Sequence, residues 1–270
     1  ATAVYVTLAV LAMMNYESSG NGRWLAVCGI CGGFALGTKL LALIPVAVIC
    51  AWLLGRGIAS REGVKRGVLP ALMTAGFALL IGSPWYLKSY IYTGNPVYPF
   101  MYGIFGGRNW SAEAAESYRQ AQFAFGMGRG WREFMMLPWN VTMHGFRFYD
   151  FPVISGLIGP IFLGLIPVRL LGWKWCRAGA FLAVLCAAVV VSWFFLMQQV
   201  RYLIPIMGLL SILAAEGAGA VSEWKPGRWA ARAFVATGVL LTILLGYLLS
   251  VGALAPTIGT VSKEEYLRGS

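Results

Sequence analysis

The sequence predicts an all-α fold: a polytopic transmembrane helical bundle of about seven or eight spans. It also predicts an extracytoplasmic segment of roughly 70 residues, built of short helices and loops. Three observations carry this. First, 59% of the 270 residues are hydrophobic and 11% are charged, against roughly 25% charged residues in water-soluble domains. A soluble globule of this composition would expose a largely apolar surface, and a disordered chain has too little apolar surface to bury rather than too much. Second, the apolar residues fall in continuous runs at 1–16, 24–38, 40–54, 67–82, 153–168, 178–197, 203–221 and 233–253. Such runs are unlike the alternating strands of a β-barrel, and helices satisfy their own backbone in hydrocarbon. Third, basic residues gather in short stretches between runs.

The elements follow in order. The run 1–16 falls short of the ~20 residues that cross a bilayer, so the chain reads as the C-terminal remainder of a larger protein. Runs 24–38 and 40–54 flank Lys39. They are either two short spans joined by a tight turn or one broken helix. Loop 55–66 holds Arg56, Arg61, Lys65 and Arg66 against Glu62. Loop 169–177 holds Arg169, Lys174 and Arg177, and loop 222–232 holds Lys225, Arg228 and Arg232 against Glu223. Positive loops stay in the cytoplasm, and counting spans between the three gives one consistent alternation. Segment 83–152, the turn 198–202 and the tail after Ala253 then lie outside, as does Lys39 if it marks a turn. The predicted organisation is 1–82 (truncated N-terminal transmembrane helices), 83–152 (extracytoplasmic interfacial segment), 153–253 (C-terminal transmembrane helices) and 254–270 (extracytoplasmic tail).

The net charge of +11 is therefore mostly topology. Segment 83–152 mixes Lys88, Arg108, Arg119, Arg129, Arg132 and Arg147 with Glu113, Glu116, Glu133 and Asp150, which excludes a nucleic-acid patch. Its opening is crowded with Trp85, Tyr86, Tyr90, Tyr92, Tyr98 and Tyr102, aromatics of the kind that collect at the membrane boundary. Asn95-Pro96 and Pro99 stop a continuous helix there. Ser111–Gln122 reads as an amphipathic helix with Ser111 as N-cap and Glu113 in its first turn. Five cysteines, Cys28, Cys31, Cys50, Cys176 and Cys186, are odd in number and lie in or beside apolar runs, which argues against a disulfide framework. The Cys28/Cys31 spacing sits among Val27, Gly29, Ile30 and Gly32 and reads as helix packing.

The candidates for chemistry are few. Lys39 interrupts two apolar runs, an expensive place for a charge. It is either a phosphate ligand or a snorkelling lysine that marks a helix end. Arg201 is the sole charge in the turn Gln198-Gln199-Val200-Arg201-Tyr202, and its guanidinium suits a phosphate oxyanion. The alternative for it is an interfacial anchor. Asp150, the only Asp, follows His144, the only His. The pair could do general-base work, or Asp150 could pair with Arg147. Glu216 reads as structural. The sequence holds no metal-ligand cluster, phosphate-binding glycine loop or nucleophile elbow.

Three stretches resemble the GT-C superfamily of polyprenyl-phosphate-dependent membrane glycosyltransferases, nearest its bacterial protein-mannosyltransferase and aminoarabinose-transferase branch. Gly33-Phe34-Ala35-Leu36-Gly37-Thr38-Lys39 resembles the group's Gly-x-x-x-Gly-Thr-Lys segment. Ser83-Pro84-Trp85-Tyr86-Leu87-Lys88-Ser89-Tyr90, then Thr93-Gly94-Asn95-Pro96-Val97-Tyr98-Pro99, is similar to its most specific motif. Arg201-Tyr202-Leu203-Ile204-Pro205 resembles the opening of a late helix. Ala3–Leu8 is similar to an earlier helix start that more often carries Asp where Thr7 stands.

The resemblance implies transfer of a sugar from a polyprenyl-phosphate donor to a lipid, glycan or protein acceptor at the outer face of a bacterial inner membrane. It implies donor-phosphate contacts from Lys39, Arg201 and Lys88, and substrate-loop roles for Tyr202, Asn95, Tyr98 and His144. The family's catalytic carboxylate lies in a loop upstream of Ala1, and Asp150 is the remaining candidate inside this chain. No cofactor is evident; the resemblance leaves a divalent metal open. The competing expectations are a transporter or lipid flippase, which would show inverted repeats and broken helices meeting at the midplane, and a non-catalytic membrane scaffold.

Overall fold

Apolar backbone that must satisfy its own hydrogen bonds winds into helices. The computed structural model describes residues 1–59, 65–148, 160–172, 175–223 and 225–257, and these form helices and connecting turns without a strand. The α-helices are α1 (Thr2–Ser19), α2 (Arg23–Thr38), α3 (Leu43–Ala59), α4 (Lys65–Thr93), α5 (Tyr102–Phe105), α6 (Ala112–Phe123), α7 (Trp131–Met135), α8 (Leu137–Met143), α9 (Pro160–Leu171), α10 (Arg177–Leu196), α11 (Ile204–Ser222) and α12 (Lys225–Thr257). Among the described residues, four stretches are long and apolar enough to cross a bilayer: Leu40–Ile58, Arg66–Thr93, Arg177–Leu196 and Ile204–Ser222. The chain is an integral multi-pass membrane protein.

It divides into two compact units. One comprises Ala1–Leu157 with Trp173–Leu213, the other Ile158–Gly172 with Ala214–Ser270. In the first, α2 packs on α1 and α4, and α3 packs on α4 and α10. Small residues set the α2–α4 contact. A Cβ on Gly29 would meet the Phe77 Cβ and the Thr74 carbonyl, and one on Gly33 would meet the Ile81 Cβ at 2.6 Å. The facing positions on α4 are Thr74, Ala78 and Gly82, at four-residue spacing, so two backbones approach closely. The stripe continues to Gly37, over which the Trp85 ring lies at van der Waals distance.

Several boundaries differ from the apolar runs. The first helix continues past residue 16 to Ser19 and closes on Gly20 in the left-handed conformation (φ 67°). Helix α4 runs past Gly82 to Thr93, so the aromatic start of the predicted external segment is helical. Pro84 has no N–H to offer the Leu80 carbonyl, and the Ser83 hydroxyl donates to that carbonyl instead at 3.0 Å. The helix then stops at a polar knot. Gly94 adopts φ 75° and its N–H bonds the Tyr90 carbonyl, a helix-end signature. The break at Lys39 resolves as two helices: Lys39 is extended (φ −153°, ψ 133°) and leads into the 3-10 turn Leu40–Ala42.

The predicted basic loop 222–232 is mostly helix, because α12 begins at Lys225 with Pro226 in its first turn, where a missing N–H costs nothing. In the second unit Arg169 is 7% exposed. It belongs to α9 and pairs with Glu216 of α11, so it is no solvated loop charge; the pairing supports the structural reading of Glu216. The first part of run 153–168, Asp150, Lys174 and the tail beyond Thr257 lie outside the described residues.

Candidate functional site

Two backbone devices in the first unit bring Lys39 and Arg201 together. At the end of α2 the Thr38 hydroxyl donates to the Ala35 carbonyl (2.7 Å) and shares a hydrogen bond with the Thr2 hydroxyl (2.8 Å). The extended Lys39 then leaves the helix axis, and its positive charge suits a helix C-terminus. The second device is the turn after α10. Gln198 is fully buried. Its Nε2 donates to the carbonyls of Gly128 (2.7 Å) and Phe194 (3.0 Å), and its Oε1 accepts from the Met127 N–H (3.3 Å). The Trp193 indole N–H donates to the Gln199 carbonyl (2.6 Å). So anchored, the 3-10 turn Val200–Tyr202 presents its two polar side chains.

Tyr202 is the centre of the cluster. The Lys39 Nζ lies 4.6 Å from the centroid of its ring, and the Arg201 guanidinium carbon lies 5.4 Å from the same centroid. Both are cation–π distances. Burial and then the Arg201 charge lower the Lys39 pKa from its ordinary value. Among the described residues no carboxylate pairs with Lys39. Two cations thus stand around one ring, and this cluster is the candidate anion site.

The surroundings are aromatic on one side and apolar on the other. A cleft of about 320 Å³ is bordered by Lys39, Trp85, Tyr86, Tyr98, Phe100 and Tyr202, with Thr38 and Ser89 as its small polar groups. A larger groove of about 770 Å³ adjoins it, sharing Leu40, Leu41, Val97 and Phe100. This groove is lined mainly by apolar side chains from the start of span Leu40–Ile58, the 97–103 loop, α6 and the end of α10. At its edge Arg119 donates to both carboxylate oxygens of Glu116, at 2.8 and 2.7 Å.

The other predicted site residues divide. Tyr98 borders the cleft and meets the Trp110 ring edge-on at 5.6 Å. Asn95 is fully buried, and its amide serves the loop itself. It donates to the carbonyls of Phe100 (2.9 Å) and Gly106 (3.0 Å) and accepts from the Val97 N–H (2.9 Å). Lys88 is exposed on α4 and does not border the cleft. His144 follows α8, beside Phe146, with a buried Nδ1 that lacks a hydrogen-bond partner. It borders neither cavity. Asp150 lies outside the described residues. Among those described, no group of three His, Cys, Asp or Glu side chains is placed to hold a metal ion.

The sequence did not single out Tyr118. It lines the groove from α6, stands edge-on to Phe100 and Trp110, and feels both Tyr202 and Arg201. Burial raises its pKa, Tyr202 raises it further, and Arg201 opposes them. The available signal was its place on the amphipathic helix, in register with Ala115 and Gln122, which line the same groove.

Fold and site together define a helical multi-pass membrane protein whose cationic aromatic cleft opens beside an apolar groove. Comparison with family models, with curated proteins and with solved structures finds no match.

Proposed function

We propose that this chain is the donor-binding part of a GT-C-type membrane glycosyltransferase, which moves a sugar from a polyprenyl-phosphate donor to a lipid, glycan or protein acceptor at the outer face of a bacterial inner membrane. The observation that carries the reading is the meeting of Lys39 and Arg201 at the Tyr202 ring; Lys39 and Tyr202 border the cleft that shares a wall with the apolar groove of about 770 Å³, and Arg201 joins them at the ring without bordering either cavity. That combination suits a ligand with an anionic head and a long apolar chain. As a glycosidic bond to phosphate breaks, the leaving phosphate gains negative charge, and fixed cations stabilise that state. The aromatic rings of Trp85, Tyr86 and Tyr98 offer stacking faces to the sugar. Lys88, exposed and away from the cleft, is left out of the phosphate set. On this reading about seven or eight spans cross the membrane, the basic loops face the cytoplasm, and the segment that leads into the 97–103 loop and α6 lies outside.

The test uses the full-length protein and transfer from a polyprenyl-phosphate sugar. Lys39→Ala and Arg201→Ala should each lower kcat/KM by tenfold or more, since a hydrogen bond to a charged group contributes about 1.5–3 kcal/mol, while membrane insertion persists. Full activity in both variants sinks the assignment. Movement of the lipid phosphate across a bilayer without sugar transfer would favour the flippase instead.

A further inference from the structure

Helices α7 and α8 carry an apolar stripe that none of the described residues covers. Trp131, Met135, Trp139 and Met143 recur at four-residue spacing across both helices. They are 74%, 57%, 47% and 49% exposed. The opposite side is core: Leu137 and Val141 are buried, and Phe134 stands edge-on to Phe194 of α10 at 5.2 Å. The Phe134–Phe194 contact thus holds the pair near one end of α10, a helix long and apolar enough to cross a bilayer. Among the described residues near it in sequence, the exposed charges are basic. Arg132 and Arg147 are exposed, whereas the half-buried Glu133 folds back against Gly128 and Gly130.

We infer that α7–α8 is an in-plane membrane anchor: the stripe enters the headgroup and upper acyl region of the bilayer, and Arg132 and Arg147 rest on anionic headgroups. An apolar, tryptophan-bearing face flanked by basic residues suits an interfacial helix, whose apolar face sits about 5–10 Å into the boundary. The anchor fixes the loop Gly126–Gly130, which Gln198 ties to the Arg201 turn. The inference stands without the glycosyl-transfer reading.

Nitroxide labels test it. The full chain carries Cys176→Ser, which removes the exposed native thiol, and that parent serves as the blank. Trp131→Cys, Met135→Cys, Trp139→Cys and Met143→Cys are labelled one at a time in vesicles of phosphatidylcholine and phosphatidylglycerol. Glu113→Cys, on exposed α6, is the water-facing control. The four labels should collide with oxygen in preference to a water-soluble nickel complex, at a depth of about 5–10 Å, and should rise toward water when phosphatidylglycerol is left out. Accessibility to the nickel complex equal to that of the control overturns the inference, and is the result expected if the stripe awaits a soluble partner. Protection accompanied by spin–spin broadening that disappears on dilution in lipid also overturns it, in favour of a second copy of the chain. If one tryptophan variant misfolds, the two methionine positions still decide.

Discussion

At Lys39, burial and the neighbouring Arg201 both disfavour the charged form. The group is charged below its lowered pKa and neutral above it, so its hold on an anion weakens as pH rises through that value. The second ionisation of a phosphate monoester, near pH ~6, adds negative charge as pH rises, so a loss of affinity on the alkaline side has the sign of the lysine. Affinity of the protein for a polyprenyl phosphate should fall on the alkaline side in the wild type. Lys39→Arg, which stays protonated, should keep its affinity over the same range; parallel profiles would refute the role given to Lys39. This residue was legible in the sequence because a cation between two apolar runs has no cheap reason to be there, and Arg201 was legible on the same ground. Tyr118 was not, since helical periodicity shows that α6 has two faces without showing what the inner face meets. Asn95 misled for a related reason. A polar residue after a helix looks available to substrate, whereas its amide hydrogen bonds are taken by the backbone of its own loop.

The contact between α2 and α4 depends on absent side chains. A Cβ at Gly33 would stand 2.6 Å from the Ile81 Cβ and 2.8 Å from the Ala78 carbonyl. Gly33→Val should therefore destabilise the protein by about 1–3 kcal/mol, the cost of overpacking. Gly76, also on α4, faces open space, and Gly76→Ala should stabilise by about 0.5–1 kcal/mol through helix propensity. Thermal unfolding in detergent measures both, and equal effects at the two sites would show that the stripe is no close contact. Because α2 leads directly into Lys39 and α4 carries Trp85, the Gly33 variant should weaken the site as well. Helix existence was legible at this scale from run length. Helix ends were not, because apolar runs report burial in lipid, whereas ends are set by local hydrogen bonding. The Gly94 cap and the Ser83 hydroxyl carry α4 past its apolar run, and Pro226 lets α12 begin inside a basic stretch.

For the whole molecule, the charge distribution makes a topological prediction. Cys176 is exposed and lies in a basic stretch, so a membrane-impermeant maleimide should label it in inverted vesicles and leave it unlabelled in intact spheroplasts. A cysteine at Glu113, on exposed α6, should show the reverse; the same sidedness for both would overturn the alternation. The multi-pass helical class was legible from composition together with the continuous apolar runs. The division into two units was not, since it depends on which helices touch, and hydropathy carries no information about partners. The pairing of buried Arg169 with half-buried Glu216 shows this well, because a charge counted as a loop marker is held in a helix contact. The central claim is that one face of this bundle seats a lipid-linked phosphate, and its most direct test is equilibrium binding of a polyprenyl phosphate to the full-length protein and to the variant carrying both Lys39→Ala and Arg201→Ala. Loss of two charge-assisted contacts, at about 1.5–3 kcal/mol each, should raise Kd a hundredfold or more; a Kd unchanged by the double substitution would contradict the account.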